Sequence, residues 1–384
     1  MRLAWGIYLA LLANAAAPSP QVNLVGYLGG SGTDDCDGIA LDRAGDIYLA
    51  CHSDSPNFPS LRAKAQPQSR ASMDAVVVKI EARTGRLVWA TRTGGSDWDA
   101  AGDIEVATDG SIYVLGATRS ADFPTTADAV QRRFGGPDRD AFLLRLDPSG
   151  KIVYSTLLGG SGNDEATGLA VAGDGSVYIG GVTTSADFPG VRVNRFGPGG
   201  QQDAFIARLR PGNLKSLQTV LLGGKDVDHI TSLALDNSGN LFAAGFTASD
   251  DFPVKNGFQS QLRGELDAFL VKLRVSDWSL LLSMYLGGSK MDGAYSVGID
   301  SSGNPLVSGV TDSADFVTTP HAFQTRRRGT VDAFVTKLDR ESGRVVWSTY
   351  YGGSKENSDQ YLGGSMAVDE SGRVWLTGMT NSPD

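Results

Sequence analysis

The chain has 384 residues, 41% of them apolar, with 49 glycines, two cysteines and a formal net charge of -9. That apolar share is enough for a packed core and excludes a disordered chain. The acidic balance argues against a nucleic-acid partner, which would call for a basic face, and two cysteines cannot build a disulfide scaffold.

Residues 1–17 read as a secretory signal. Arg2 supplies the positive start, Leu3 to Ala13 is mostly apolar but too short to span a bilayer, and Ala13-Asn14-Ala15 is an A-x-A cleavage pattern. A buried first strand is the alternative reading. No later segment has the length and apolarity of a transmembrane helix, so no membrane insertion is expected. The mature chain is expected outside the cytoplasm: secreted, periplasmic or at the cell surface.

From Val22 onward one pattern recurs. Gly-Gly corners stand at Gly29-Gly30, Gly94-Gly95, Gly159-Gly160, Gly223-Gly224, Gly287-Gly288 and Gly352-Gly353, about 65 residues apart. Ser or Lys follows each corner, and in most copies an acidic residue soon after, such as Asp34, Asp97, Asp164, Asp228 or Asp292. Next comes a hairpin. In the second copy Ile104 and Val106 alternate with polar or small residues, Thr108-Asp109-Gly110 turns the chain, and Ile112 and Val114 resume the alternation. Asp42, Asp236, Asp300 and Asp369 precede the equivalent turns and suit side-chain bonding to turn amides.

A connection of about 20 residues follows. It carries Ser-x-Asp-Phe-Pro or a close variant, whose aromatic ring recurs at Phe58, Phe123, Phe188, Phe252 and Phe316. A ring present in every copy is expected to plug a gap between sheets. Val130, Phe258 and Phe323 are expected as second apolar anchors. A second hairpin then opens at Asp74, Asp140, Asp203, Asp267 and Asp332, each followed by Ala and an aromatic or aliphatic residue, and its last strand runs into the next corner.

Each copy thus predicts four short strands in one antiparallel sheet. One such sheet cannot bury both faces, but several packed around an axis can. The expected fold is all-β, a single β-propeller domain over residues 22–384 with about six blades, or seven if the chain is a fragment. The last copy is truncated: a lone strand over Val22–Leu28 and a final pair near Ser365–Ala367 and Arg373–Met379 would supply three strands of a sixth sheet. The sequence stops at Ser382-Pro383-Asp384, inside the tail motif, which suggests a longer protein.

The segment LGGSGNDEATGLAV…GSVYIGGVTTSADFP, preceded by DAFLLRLDPSGKIVYSTLLGG, resembles the bacterial SBBP repeat, named for the seven-bladed β-propeller. The resemblance covers residues 22–384 in six copies. It implies secreted or cell-surface propellers, often parts of larger chains, and brings no reaction and no catalytic residues.

Function is therefore sought where the copies differ. Trp98 follows a Gly-Gly-Ser corner and could stack on a sugar. The last copy carries extra residues around Asn357, Asp359, Gln360 and Tyr361, and insertions map to loops and binding faces. Trp89, Trp278 and Trp347 are placed on outer strands as packing residues. His52, His229 and His321 occupy three different repeat positions and suggest no metal site. Cys36 and Cys51 flank one hairpin. If Leu41 pairs with Ile47, the two sulfurs are neighbours nominally on opposite faces, so a local disulfide and two free thiols both stay open. No nucleophile elbow, phosphate loop or catalytic Cys-His pair is present, and no cofactor or metal is expected.

The expected function is a non-catalytic binding or scaffold module for protein or glycan, monomeric or part of a larger chain. An extracytoplasmic propeller enzyme (a hydrolase, lyase or quinoprotein-like dehydrogenase with a central site) is the alternative. A structural segment of a larger surface protein is the third reading.

Overall fold

A computed structural model describes residues 10–11, 25–59, 73–210, 213–355, 365–378, 380 and 382–383. No helix occurs among them, and none is long and apolar enough to cross a membrane. The first strand, β1 (Ala10–Leu11), is followed by four that form one sheet in sequential order: β2 (Asp34–Leu41), β3 (Ile47–Ser53), β4 (Asp74–Glu81) and β5 (Arg86–Thr93). The next sheet repeats that order with β6 (Asp99–Val106), β7 (Ile112–Thr118), β8 (Asp140–Leu146) and β9 (Ile152–Leu158).

The third sheet has five strands rather than four. β10 (Asp164–Val171), β11 (Val177–Thr183), β13 (Asp203–Arg210) and β14 (Asn213–Leu222) take the usual places, and β12 (Val191–Phe196), from the long connection, adds itself outside β14. Two further four-stranded sheets follow: β15 (Asp228–Leu235) to β18 (Ser279–Leu286) through β16 (Asn240–Thr247) and β17 (Asp267–Arg274), then β19 (Asp292–Ile299) to β22 (Val345–Tyr351) through β20 (Pro305–Thr311) and β21 (Asp332–Leu338).

The sixth sheet is three-stranded, in the order β1, β24 (Val374–Leu376), β23 (Met366–Val368). Its third strand comes from Ala10–Leu11, inside the stretch read as a signal, and not from Val22–Leu28. Residues 25–28 join no ladder, and Val25 and Tyr27 are exposed. The rest of residues 1–17 and residues 22–24 lie outside the described residues.

Contacts divide the chain into two units. One comprises residues 20–194 and 205–220, holding the first two sheets and most of the third. The other comprises residues 1–19, 195–204 and 221–384, holding the fourth to sixth. Within each, the leading strand of a sheet nests on the sheet before it: β6 on β2, β3 and β4, β10 on β6, β7 and β8, β19 on β15, β16 and β17. Antiparallel sheets nested this way are the blades of a β-propeller fold.

The cores lie between those layers. In the first unit described, Tyr48, Val77, Ile104, Val114, Phe142 and Leu144 form one buried cluster. In the other, Phe242, Leu270, Met284, Val307, Phe334 and Tyr350 do the same. The repeated phenylalanine is part of this packing: Phe123 stacks on Phe142 at 4.6 Å, Phe188 meets Phe205 at 4.4 Å and Phe316 meets Phe334 at 4.4 Å. The second anchors differ. Phe258 and Phe323 are exposed, Phe323 meeting the Tyr351 ring at 6.0 Å, and glutamine hydrogen bonds fasten the connection; Gln324, for example, donates to Asp332 at 2.8 Å and accepts from Gly352 N–H at 3.2 Å. Trp278 also departs from expectation: it sits in the turn before β18 with φ of 58° rather than on the strand.

Each of the five leading strands carries a β-bulge, between Cys36 and Gly38, Ala101 and Asp103, Ala166 and Gly168, Ile230 and Ser232, and Ala294 and Ser296. In the first sheet the bulge decides the cysteines. Leu41 does pair with Ile47, but the extra residue shifts the register so that Cys36 lies opposite Cys51 and not His52. The two sulfurs are joined, with the Cα atoms 3.8 Å apart.

Candidate functional site

The Gly-Gly corner, the acidic residue after it and the Ser-x-Asp-Phe-Pro tail form one structure. In the third copy Asp164 opens β10, fully buried, and accepts from Gly160 N–H at 2.7 Å, Ser185 Oγ at 2.7 Å and Thr183 Oγ1. Asp187 of the tail accepts from the backbone and hydroxyl of Ser161 at 2.8 and 2.9 Å. Asp140, at the start of β8, accepts from Gly135 N–H at 2.8 Å and Gln131 Nε2 at 3.1 Å. Only glycine fits between these carboxylates. A Cβ on Gly159 would lie 2.6 Å from an Asp140 oxygen and 2.8 Å from an Asp164 oxygen.

The pairing recurs with Asp74 and Asp99 at Gly94, and with Asp203 and Asp228 at Gly223. Burial opposes ionisation at these sites, and the neighbouring carboxylate repels a second charge. Both effects push Asp99, Asp140, Asp228 and Asp292 up to about 6, against the donors that favour the anion. Charged partners differ among the copies: Arg92 reaches Asp74 at 2.9 Å and Arg195 reaches Asp203 at 2.8 Å, while Gln131 and Gln259 serve Asp140 and Asp267. Repeated, and accepting from corner amides and hydroxyls, these carboxylates tie corners together. Among the described residues no group of three or more His, Cys, Asp or Glu is placed to hold a metal ion.

The residues around the carboxylate joint vary from copy to copy, and the second sheet brings an aromatic ring and two cations together there. Three positions border each corner: the residue before the leading strand, the residue after the second strand and the residue before the third. Elsewhere they hold Thr33, Asp54 and Met73, or Asn163, Thr184 and Gln202, or Val227, Ala248 and Leu266, or Met291, Asp312 and Val331. In the second sheet they hold Trp98, Arg119 and Arg139. The Arg119 guanidinium lies 5.7 Å from the Trp98 ring centroid and that of Arg139 lies 5.3 Å from it, both in cation–π range. Arg119 is also 3.5 Å from Asp138, and Arg139 pairs with Glu165 on β10. All five side chains are half-buried or exposed. Sequence reading singled out Trp98 and missed both arginines. The signal was there in the residues flanking each repeated motif, compared across copies.

A second departure was also missed. On β6, Asp103 stands where other copies have Gly or Ser, and Glu105 where they have Ala or Gly. Asp103 accepts from Leu169 N–H of β10 at 2.9 Å; in the other unit Ser232 does the same for Val297 at 3.2 Å. Burial lifts Asp103 to about 6 and Glu105 to about 8.

The remaining candidates are scattered. Asn357, Asp359, Gln360 and Tyr361 lie outside the described residues. His52 lies 3.4 Å from Asp37, His229 packs edge-on against Phe246, and His321 is exposed. No two of these histidines share a site.

Residues 153–189 match the SBBP family, described as a beta-propeller repeat. The chain carries the SBBP repeat. The matched stretch spans β10 and β11, the corner before them and the tail after them, and the other sheets repeat that order of elements. The SBBP-repeat chain is 23% identical over 357 residues to the regulatory protein FlaEY of Caulobacter vibrioides, covering 87% of this chain and 35% of that one. It therefore spans about a third of that relative's length. Among solved structures it is similar to a virginiamycin B lyase from Staphylococcus aureus (9% identity, TM-score 0.42, covering 90% of this chain and 95% of the other). It is also similar to a protein of unknown function from Dyadobacter fermentans (9% identity, TM-score 0.46, covering 91% and 97%).

Proposed function

We propose that this protein is a non-catalytic binding module that works outside the cytoplasm and takes protein or glycan at the corner of its second sheet. One observation carries the reading. The three positions that flank a corner vary from copy to copy, and in the second sheet Trp98, Arg119 and Arg139 use them to gather two cations on one aromatic ring at the surface. Repeated residues build blades, whereas exposed, non-repeated aromatic and basic residues on loops are what recognition uses. The apolar segment with its A-x-A pattern supports export, and cleavage after Ala15 would leave β23 and β24 without β1.

The test is a hydrogen-exchange footprint of the secreted chain against a panel of surface proteins and glycans. Protection at residues 96–99, 118–119 and 138–140 is expected with at least one of them. A ligand that protects only other segments would remove this corner from the reading.

Asp103 and Glu105 favour a second reading, an enzyme. They are non-repeated, their carboxyls hold protons up to about pH 6 and about pH 8, and general acid chemistry uses carboxyls of that kind. Hydrolysis of a polysaccharide by the chain, abolished by Glu105→Gln, would move the reading there.

A further inference from the structure

The corner at Trp98 also carries the chemistry of its ligand. Its backbone amides are engaged. Gly95 N–H donates to Asp99 at 2.7 Å, Ser96 N–H to Asp122 at 2.7 Å, Asp97 N–H to Ser120 Oγ at 2.9 Å and Trp98 N–H to Asp97 at 2.7 Å. Arg119 N–H donates to the Trp98 carbonyl at 2.8 Å. An extended peptide laid on this surface would find these N–H groups already engaged, so its carbonyls would gain no backbone donor from them.

Side chains provide the remaining recognition. Arg119 meets Asp138 through Nε and Arg139 meets Glu165 through Nη1, and the other N–H groups of each planar guanidinium fork can donate to a ligand carboxylate. Trp98 holds both forks near one ring, so little of their freedom remains to be lost on binding. The indole then acts as a positioning residue, and its faces serve the guanidiniums instead of a stacked sugar. Around the forks stand carboxylates, Asp138 and Glu165, which can accept hydrogen bonds from hydroxyls.

The matching ligand carries a carboxylate beside several hydroxyls. We propose that this corner takes a uronic-acid residue of an acidic polysaccharide. A neutral sugar brings no carboxylate to the remaining guanidinium N–H groups, and an acidic peptide brings carboxylates without the hydroxyls. The inference rests on the reading of this corner as the binding site.

The experiment is calorimetric titration of the chain with oligogalacturonate, with neutral galacto-oligosaccharide and with poly-aspartate, repeated for Arg119→Ala and Arg139→Gln after circular dichroism has shown both to be folded. Oligogalacturonate is expected to bind, each substitution to weaken it about tenfold or more, and the other two probes to bind at least about tenfold more weakly than the uronate. Equal affinity for poly-aspartate, or no binding of the uronate, overturns the inference. Hydrogen exchange with each bound probe separates the two ideas. Neutral sugar protecting residues 96–99 as well as uronate does would leave the corner as a site and remove its uronate preference. Uronate bound with unchanged affinity by both variants, protecting other segments, would remove the site itself.

Discussion

Asp140 and Asp164 come from consecutive sheets and close on the same glycine. Asp140 opens the third strand of the second sheet and Asp164 the leading strand of the third. Their oxygens stand 2.6 and 2.8 Å from where a Cβ on Gly159 would be. Replacing Gly159 with alanine forces one carboxylate off its donors. A loss of about 1–3 kcal/mol is expected, the range for overpacking a tight site. Gly45 offers the contrast: φ is +84° but nothing lies within 4 Å of its Cβ, so Gly45→Ala meets backbone strain alone and is expected to cost about 1 kcal/mol. Urea titration of both variants checks this. Equal midpoints would mean that the carboxylates do not confine Gly159.

The same pair sets a pH dependence. The folded pKa of Asp140 is raised to about 6, so between the unfolded value near 4 and 6 the native state holds more protons than the unfolded one. This carboxyl's contribution is fully present below about pH 4, falls as pH rises through 6, and is flat above. Asp164, whose pKa is raised in the same direction by burial, faces it, with Asp187 beyond. Asp140→Asn removes the titration. Its stability penalty is therefore expected to be larger at pH 5 than at pH 7.5 in denaturant titrations. An equal penalty at the two pH values would show that Asp140 is ionised throughout.

Phe188 and Phe323 should separate sharply. Phe188 is 3% exposed and packs on Phe205, so Phe188→Ala is expected to cost about 3–5 kcal/mol. Phe323 is 69% exposed, and Phe323→Ala should stay within about 0.5 kcal/mol. Thermal melts of the two variants are enough. Similar losses for both would mean that Phe323 is buried in solution.

The Cys36–Cys51 bond closes a span of 15 residues. Constraint of the unfolded chain by a loop of that size is worth about 3 kcal/mol. Replacing both cysteines by serine should lower the denaturation midpoint accordingly, and a thiol reductant should lower it in the parent chain but not in the variant. An unchanged midpoint in the double variant would place the bond among those without effect on stability.

Much of the fold was legible because it is periodic. The corner, the two hairpins and the phenylalanine plug each leave the same residue types at the same spacing, and repetition raises a weak local signal above chance. What escaped reading lies off the period. The bulge after Cys36 reverses which residues face one another, yet a bulge adds one residue without a distinctive type, so strict alternation assigned the cysteines to opposite faces. The strand opposite β24 could not be placed from Val22, because a short edge strand is chosen by which segment reaches the sheet. At the site, Trp98 was visible as an odd aromatic. Arg119 and Arg139 were not, because their partnership with Trp98 arises only when residues 21 and 41 positions away in sequence are folded onto one corner. The connection that carries Phe323 has no register to constrain it, and its apolar residue was read as buried when hydrogen bonds already fastened the loop.

Each joint draws its parts from two neighbouring copies: one carboxylate and the Gly-Gly from the end of one, the second carboxylate from the start of the next. Insertion or loss of one whole period at any cut point restores every such joint, since the residues arriving are of the same kind as those removed. A cut of any other length separates an aspartate from its glycine. Chains of this type are thereby free to change length in whole blades while their surface residues diverge, which leaves copy number a quantity that recombination can alter without a new interface having to evolve.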